Sequence, residues 1–283
     1  MKKFLLRFLL FVPVMFIAIS VKPARLLVDN NYQTKPKFNW VYTAYKQSKK
    51  KEPKAKIVVI GDSVGNQLFK VGTKQNSGPI YSLTCSAAVD IVGQYILLYN
   101  FLENNQPEAV FMINNGFKFN LNAPQVFHHF LKVFDTPENK KHFTPLARSK
   151  VRKVPFYFMS QVPHIYTTTW GPKIPFKPDQ TGVLFSDLTV EYLFKMEALC
   201  KEKGVKFMVM PPPIKARRKP AFDEHLDSEI AKRGVEHMFR YYKENLKFSG
   251  AKKFRDMIHI KPKYVKDFTI EYRDKLREYA EKP

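Results

Sequence analysis

Two short stretches at opposite ends of the chain contain side chains that could together perform acyl-transfer chemistry. Near the start, the apolar run KIVVI at 56–60 is followed at once by Gly-Asp-Ser, which ends at Ser63. Near the end, the stretch FRDMIHI contains Asp256 and, three positions later, His259. A serine hydroxyl is a weak nucleophile until a base takes its proton, and a histidine oriented by a carboxylate is such a base. We therefore predict a catalytic site of Ser63, His259 and Asp256.

An α/β fold would bring these stretches to one edge of a sheet. Strand, helix and strand alternate along the chain, with helical patterns at 88–105 and 186–204, and this alternation is typical of right-handed crossovers. Short apolar runs of the kind that a parallel sheet buries on both faces occur at 56–60, 80–83, 109–113 and 205–210. Ligands of such sheets bind at the carboxyl ends of the strands, where Ser63 would lie.

The residues around Ser63 have local roles of their own. Gly61 permits a sharp turn from strand to helix, and Asp62 is predicted to cap that helix and not to serve as the catalytic acid. The stretch from Gly61 to Gly65 also satisfies the Gly-x-Ser-x-Gly pattern of α/β-hydrolases. In that fold the serine follows a central strand after several earlier ones, whereas Ser63 follows the first strand, so the position argues against that alternative.

The combination resembles the SGNH, or GDSL-type, hydrolase superfamily over roughly residues 55–280. Gly61-Asp62-Ser63 and Asp256-x-x-His259 match the two motifs of that superfamily. The resemblance implies a flavodoxin-like three-layer sandwich with a central, mostly parallel sheet. It also implies a Ser-His-Asp mechanism that needs no metal or organic cofactor.

In that superfamily an oxyanion hole is completed by three groups. The first is the N–H of the nucleophile, here Ser63, and the second is an asparagine side chain after the third strand, here Asn114 or Asn115, with Asn115 preferred. The third is a glycine N–H after the second strand, where this chain has TCSAA. The glycine position falls near Ser86 or Ala87, and Ala87 is expected to present its N–H there. The missing glycine keeps open a non-catalytic alternative for the chain.

Two further stretches resemble a particular group within the superfamily. VKFMVMPPPIKARR at 205–218 and DMIHIKPKYVKDFT at 256–269 look like the exported O-acyltransfer proteins of cell envelopes, such as alginate acetylation factors and the D-alanine transfer protein of teichoic acids. The resemblance implies a serine esterase or O-acyltransferase acting on acyl esters, O-acetyl above all, of an envelope polysaccharide. The alternative is a non-catalytic protein of the same fold that binds polysaccharide or a membrane-bound acyltransferase partner.

The first residues of the chain predict export. The run from Phe4 to Val21 is almost purely apolar and follows Lys2 and Lys3, which favours a cytoplasmic N-terminus and an extracytoplasmic body. As a helix, such a run approaches the roughly 30 Å thickness of the hydrocarbon core. We predict a single membrane anchor over 1–25, and the alternative is a signal peptide cut near the small residues at 18–20.

The rest of the chain is predicted as a juxtamembrane linker and one domain. The segment 26–54 is polar and lysine-rich, and the domain is expected over 55–283. The stretch 117–185 interrupts the alternation of strands and helices and is predicted to be an insertion near the ligand side of the sheet.

The composition limits the classes of partner. Lys and Arg total 48 against 25 Asp and Glu, a formal net charge of +23, which favours an anionic surface or polymer. The charge is spread along the chain, without zinc-finger spacing, a glycine-rich RNA signature or a basic recognition helix, so nucleic-acid binding is disfavoured. Two cysteines are too few for a disulfide scaffold or a cysteine-rich metal site.

Overall fold

The computed structural model describes residues 5, 7–14, 36–72, 79–85, 89–114, 132–153, 185–216, 226–256 and 258–281. A four-stranded parallel sheet in the order β2-β1-β3-β4 forms the centre of this part of the chain. Its strands are β1 (Ile57–Gly61), β2 (Ile80–Ser82), β3 (Ala109–Ile113) and β4 (Lys206–Met210). The predicted α/β class with a central parallel sheet is confirmed.

The register of the sheet aligns the carboxyl ends of its central strands. Gly61 at the end of β1 is paired with Ile113 at the end of β3, and Ile113 is paired with Met210 at the end of β4. The chain goes from β1 to β2 on one side and returns to add β3 on the other. The chain segments that follow β1 and β3 therefore run in opposite directions. In open α/β sheets, ligands bind in the crevice between the carboxyl ends of two such strands.

Helices cover both faces of the sheet. They are α1 (Pro36–Ser48), α2 (Ser63–Leu68), α3 (Asp90–Leu102), α4 (Lys132–Phe134), α5 (Pro145–Arg152), α6 (Asp187–Glu202), α7 (Leu226–Arg233), α8 (Arg240–Glu244) and α9 (Pro262–Glu281), with 3-10 turns at Asn139–His142 and Ala251–Lys253. A second, two-stranded parallel sheet joins β5 (Ile214–Lys215) and β6 (Phe248–Ser249).

The alternation of side chains along the strands produces two hydrophobic cores. On one face, Val58, Ile60 and Val110 pack with buried residues of α1, α3 and α6. On the other face, Val59 and Phe111 pack with residues of α2 and α9. Because successive strand side chains point to opposite faces, a strand buried on both faces must be apolar throughout, as IVVI at 57–60 is. The described residues thus form helix, sheet and helix layers.

The helix α1 lies within the segment 26–54 and packs against the domain. Val41 and Ala44 of α1 are 1% and 0% exposed and belong to the core with α3, and Tyr45 packs edge-on against Phe134. The lysine-rich composition suggested a solvated segment, but the aromatic and apolar residues of α1 bury one face of the helix. Residues 36–48 therefore belong to the packed domain, and residues 26–35 lie outside the described residues.

Two other predicted segments are described in part. Residues 7–14 are helical, and within the described part of the chain no helix has both the length and the apolar character to cross a bilayer. Of the predicted insertion at 117–185, residues 132–153 are described, and Phe134 and Val151 within it are buried in the core beside α3. The remainder of the 1–25 segment and of the insertion lies outside the described residues.

Candidate active site

The turn from β1 into α2 sets the position of Ser63. Asp62 is the N-cap of α2, and its Oδ1 accepts a hydrogen bond of 2.8 Å from the N–H of Val64. The carbonyl of Asp62 accepts the N–H of Asn66 at 2.9 Å, so the helix begins at Ser63 itself. The predicted capping role of Asp62 is confirmed, and Ser63 occupies the first turn, where backbone N–H groups lack helical acceptors.

The glycines on either side of Ser63 allow α2 to approach β3 closely. A Cβ atom on Gly61 would lie 2.1 Å from the backbone oxygen of Ile113, and one on Gly65 would lie 2.9 Å from the same oxygen. Gly61 also has a φ of +154°, which other residues rarely adopt. Both positions therefore require glycine, because a side chain at either one would keep this part of the chain away from the end of β3.

Hydroxyl groups anchor the other end of α2. Oγ1 of Thr269 in α9 lies 3.1 Å from the carbonyl oxygen of Leu68 and 2.8 Å from that of Val265, and its one proton is shared between these two acceptors. Thr84 and Ser82, which follow and end β2, donate to the carbonyl of Phe69 at 2.7 and 2.5 Å. A helix of only six residues has little stability of its own, so these contacts from β2 and α9 fix its orientation.

His259 lies in a short closed turn before α9. An antiparallel bridge joins Phe254 to Ile260, and the N–H of Arg255 donates to the carbonyl of His259 at 2.8 Å. Inside the turn, Oδ1 of Asp256 accepts the N–H of His259 at 2.7 Å. The carboxylate and the imidazole are thus held by the backbone of the same turn.

The structure brings Ser63, His259 and Asp256 together. The Oγ of Ser63 lies 3.1 Å from Nε2 of His259, and Nδ1 of His259 lies 2.8 Å from Oδ2 of Asp256. Both distances are within hydrogen-bond range, and the groups follow in the order required of a nucleophile, a base and an orienting acid.

The protonation state of Asp256 decides which nitrogen of His259 bears the proton. Partial burial raises the pKa of Asp256, but hydrogen bonds from the N–H groups of His259 and Ile258 and from the imidazole outweigh it and hold that pKa well below its usual range. The ionised carboxylate can only accept, so Nδ1 of His259 must donate to it. In the neutral imidazole, Nε2 is then free to accept the Ser63 proton.

The three side chains can be reached from solvent. Ser63 is half-buried, and the side chains of His259 and Asp256 are 23% and 45% exposed. Positive charge surrounds the carboxylate, with Nε of Arg255 3.7 Å from Oδ2 of Asp256 and Nζ of Lys215 donating to the Asp256 carbonyl at 3.3 Å. Each of the three side chains therefore has part of its surface exposed to solvent.

Asn114 follows β3 directly and has a defined partner. It is 5% exposed, its Nδ2 donates to Oε1 of Gln94 at 3.1 Å, and Nε2 of Gln94 donates back to its Oδ1 at 3.2 Å. Gln94 belongs to α3, on the opposite face of the sheet from α2. Asn114 thus reaches the correct edge of the sheet but hydrogen-bonds to α3 and not to Ser63. Asn115 and Ala87 lie outside the described residues.

Sequence reasoning did not identify the side chains that support the site. Gln67 hydrogen-bonds to the backbone of Ile260, Gln94 orients Asn114, and Thr269 anchors α2. The one available signal was the spacing of Gln67, four residues after Ser63 on the same helix. Among the described residues, no group of three or more His, Cys, Asp or Glu side chains could hold a metal ion.

Comparison with known proteins does not add to this geometry. No protein-family model, curated protein or solved structure matches the chain.

Proposed function

We propose that the chain is a membrane-anchored serine esterase or O-acyltransferase of the SGNH type, exported to act on acyl esters of an envelope polysaccharide. One observation carries the proposal: the continuous hydrogen-bond relay from Oγ of Ser63 through the imidazole of His259 to the carboxylate of Asp256. A serine in this arrangement can be deprotonated as it attacks, which is the requirement for covalent acyl transfer.

The topology supports the proposed flavodoxin-like fold. The strand order β2-β1-β3-β4 agrees with the first four strands of the flavodoxin-like order. Ser63 follows β1 directly, at the edge where β1 and β3 end. The position of the proposed nucleophile is therefore the position at which ligands bind in such sheets.

In the first half of the proposed reaction, Oγ of Ser63 forms a bond to the carbonyl carbon of the acyl ester while Nε2 of His259 takes the hydroxyl proton. The carbonyl oxygen becomes an oxyanion in the tetrahedral intermediate. That intermediate collapses as His259 returns the proton to the leaving alcohol, and an acyl-serine remains. Asp256 stabilises the imidazolium throughout, since its carboxylate stays ionised.

In the second half, water or a sugar hydroxyl attacks the acyl-serine. His259 takes the proton of the attacking hydroxyl, and the intermediate expels Oγ of Ser63, which regains a proton from His259. Attack by water gives an esterase, and attack by a sugar hydroxyl gives an O-acyltransferase. The access of water to the acyl-serine decides between them, and the segment 117–185 is the part of the chain that we propose controls this access.

The oxyanion would be stabilised by backbone and side-chain donors at the carboxyl ends of the strands. We propose the N–H of Ser63, the N–H of Ala87 and an asparagine amide, from Asn115 or Asn114. The reciprocal pair of Asn114 with Gln94 occupies one N–H and the carbonyl oxygen of the Asn114 amide, which supports the choice of Asn115.

The proposed setting is the extracytoplasmic face of a membrane. The apolar run at Phe4–Val21 after basic residues supports an N-terminal anchor, and the net charge of +23 supports residence beside an anionic envelope. The resemblance to envelope O-acyltransfer proteins supports a polysaccharide acceptor and a membrane-bound acyltransferase as partner. No cofactor is required by the proposed chemistry.

Acylation of Ser63 by an activated ester tests the proposal. Full-length protein is mixed with p-nitrophenyl acetate, and release of nitrophenol and the mass of the Ser63 peptide are followed with time. The proposal predicts a burst of nitrophenol and one acetyl group on Ser63, both absent in Ser63→Ala. A chase with O-deacetylated envelope polysaccharide then separates transfer to sugar from hydrolysis. A folded protein that is never acylated but still binds the polysaccharide would favour the non-catalytic alternative.

A further inference from the structure

Gln67 links the helix of the proposed nucleophile to the turn of the proposed base. Nε2 of Gln67 donates to the carbonyl of Ile260 at 3.3 Å, and the N–H of Ile260 donates to Oε1 of Gln67 at 3.0 Å. The side-chain amide thus pairs with both the donor and the acceptor of one residue's backbone. This pairing also fixes the orientation of the Gln67 amide. A flipped amide would place its NH2 group against the N–H of Ile260 and its oxygen against the carbonyl of Ile260.

The location of this pair relates it directly to the reacting atoms. Gln67 lies four residues after Ser63 on α2, so the two side chains share one face of the helix. Ile260 is the next residue after His259, and its side chain is completely buried in the core that contains α9. A shift of α2 relative to the turn would therefore change the Gln67 pair and the distance from Ser63 to His259 together.

We propose that Gln67 is a positioning residue that holds Nε2 of His259 at hydrogen-bond distance from Oγ of Ser63. This inference rests on the proposed function. The internal hydrogen bonds of the turn orient His259 relative to Asp256, but they do not determine where the turn lies relative to α2. Gln67 supplies that second constraint, through two hydrogen bonds that no apolar side chain of the same length can make.

Three variants of the full-length protein separate this role from a general effect on folding. Gln67→Met keeps the length of the side chain and removes both hydrogen bonds. Gln67→Glu keeps the acceptor but, once ionised, sets a carboxylate against the carbonyl of Ile260. The matched control is Gln106→Met, because Nε2 of Gln106 also donates to a backbone carbonyl, that of Lys203 at 3.3 Å, far from the site in the fold.

The first readout is the rate at which a fluorophosphonate labels Ser63. We expect Gln67→Met to slow labelling by about 10- to 100-fold, because misplacing a base by an ångström has effects of that order. Gln106→Met should label at the wild-type rate, and both variants should keep the wild-type melting temperature within a few degrees. Labelling of Gln67→Met at the wild-type rate would overturn the proposal.

The labelling rate of Gln67→Glu should depend on pH in a way that a general loss of stability would not produce. A protonated carboxyl group can replace the amide, since its O–H donates and its carbonyl oxygen accepts, whereas the ionised form cannot donate. The labelling rate divided by the wild-type rate at the same pH should therefore fall as pH rises. Dividing by the wild-type rate at the same pH corrects for the pH dependence of the probe and of the wild-type site. A ratio independent of pH contradicts the proposal.

A readout without activity keeps this inference distinct from the proposed function. Hydrogen exchange of the Ile260 N–H should be slow in the wild type and clearly faster in Gln67→Met, with the exchange of core amides in β1 unchanged. If the wild type is not labelled at all, the proposed function fails, and the exchange measurement still decides whether Gln67 holds the turn. Unchanged exchange at Ile260 would reject that holding role.

Discussion

The Oγ atom of Ser63 lies 3.1 Å from the Nε2 atom of His259, although 196 positions separate the two residues in the sequence. The approach results from the topology of the sheet: β1 ends at Gly61, two residues before Ser63, and the turn that precedes α9 returns to the same edge. Because α9 packs on the same face of the sheet as α2, the turn before α9 places His259 next to the start of α2.

The carboxylate of Asp256 is predicted to set the tautomer of His259. In Asp256→Asn, an amide N–H facing Nδ1 would favour the imidazole with its proton on Nε2, which cannot accept the Ser63 proton. We expect the rate of fluorophosphonate labelling to fall by roughly 10⁴-fold, the order seen when the acid of such a triad is replaced. The control is Asp267→Asn, a change at an exposed position of α9. A reduction of less than about tenfold in Asp256→Asn would contradict the assigned role.

The two asparagines after β3 are predicted to have different roles. Asn114→Ala leaves the amide of Gln94, which is 2% exposed, without its partner, so the free energy of unfolding should fall by about 1–3 kcal/mol. Asn115→Ala should leave stability nearly unchanged and slow labelling of Ser63 by about 10²- to 10³-fold, the effect of losing one oxyanion donor. Urea unfolding and labelling rates for both variants check this. The reverse pattern would assign the oxyanion donor to Asn114.

Close contact between the ends of β1 and β3 predicts that Gly61 cannot be replaced. A Cβ at position 61 would lie 2.1 Å from the Ile113 oxygen, so Gly61→Ala must displace the end of β1, and we expect a loss of at least about 3 kcal/mol of unfolding free energy. Gly250→Ala is the control, because a Cβ there would have no neighbour within 4 Å. Thermal unfolding followed by circular dichroism measures both. Equal melting temperatures for the two variants would contradict the structural argument.

His142 is predicted to make stability depend on pH. Burial, with the nearby charges of Lys141 and Lys195, lowers the pKa of His142 from 6.5 to about 4. Between these values the unfolded chain binds a proton that the folded protein does not, so stability is full above pH 6.5 and falls as pH decreases towards 4. From about pH 7 to about pH 5 the expected loss is about 2 kcal/mol.

The variant His142→Gln isolates this contribution. Its unfolding free energy, measured by urea titration at the same two pH values, should fall less than that of the wild type, by the share that His142 contributes. Other groups titrate equally in both proteins, so the difference between the two slopes reports His142. Identical slopes would show that the ring, which packs 4.2 Å from the ring of Tyr99, is protonated as readily in the folded as in the unfolded protein.

The main elements of the fold follow from local patterns in the sequence. Each of the mainly apolar runs at 56–60, 80–83, 109–113 and 205–210 overlaps a strand of the sheet, because the buried positions of a parallel strand are apolar on both faces. Ser186, the first residue of the helical pattern predicted at 186–204, is the N-cap of α6, and its side chain accepts the N–H of Thr189. Such features depend on residues close together in the chain, so their spacing is sufficient to predict them.

The parts that could not be predicted depend on contacts between distant elements. The polar composition around α1 gave no sign that Val41 and Ala44 would be buried against α3. The pairs of Gln67 with Ile260 and of Gln94 with Asn114 form only after the sheet has brought their elements together. The residues next to a glutamine on a helix surface do not indicate such a partner, since most glutamine side chains at such positions are solvated.

Labelling of Ser63 by a fluorophosphonate tests the central claim most directly. Full-length wild-type protein, Ser63→Ala and His259→Ala are treated with the probe, and folding of each is verified by circular dichroism. The relay from Ser63 to His259 and Asp256 predicts that the wild type is labelled on Ser63 and that both variants are not. A folded wild-type protein that remains unlabelled, or a Ser63→Ala variant labelled as fast as the wild type, would contradict the assignment of Ser63 as the nucleophile.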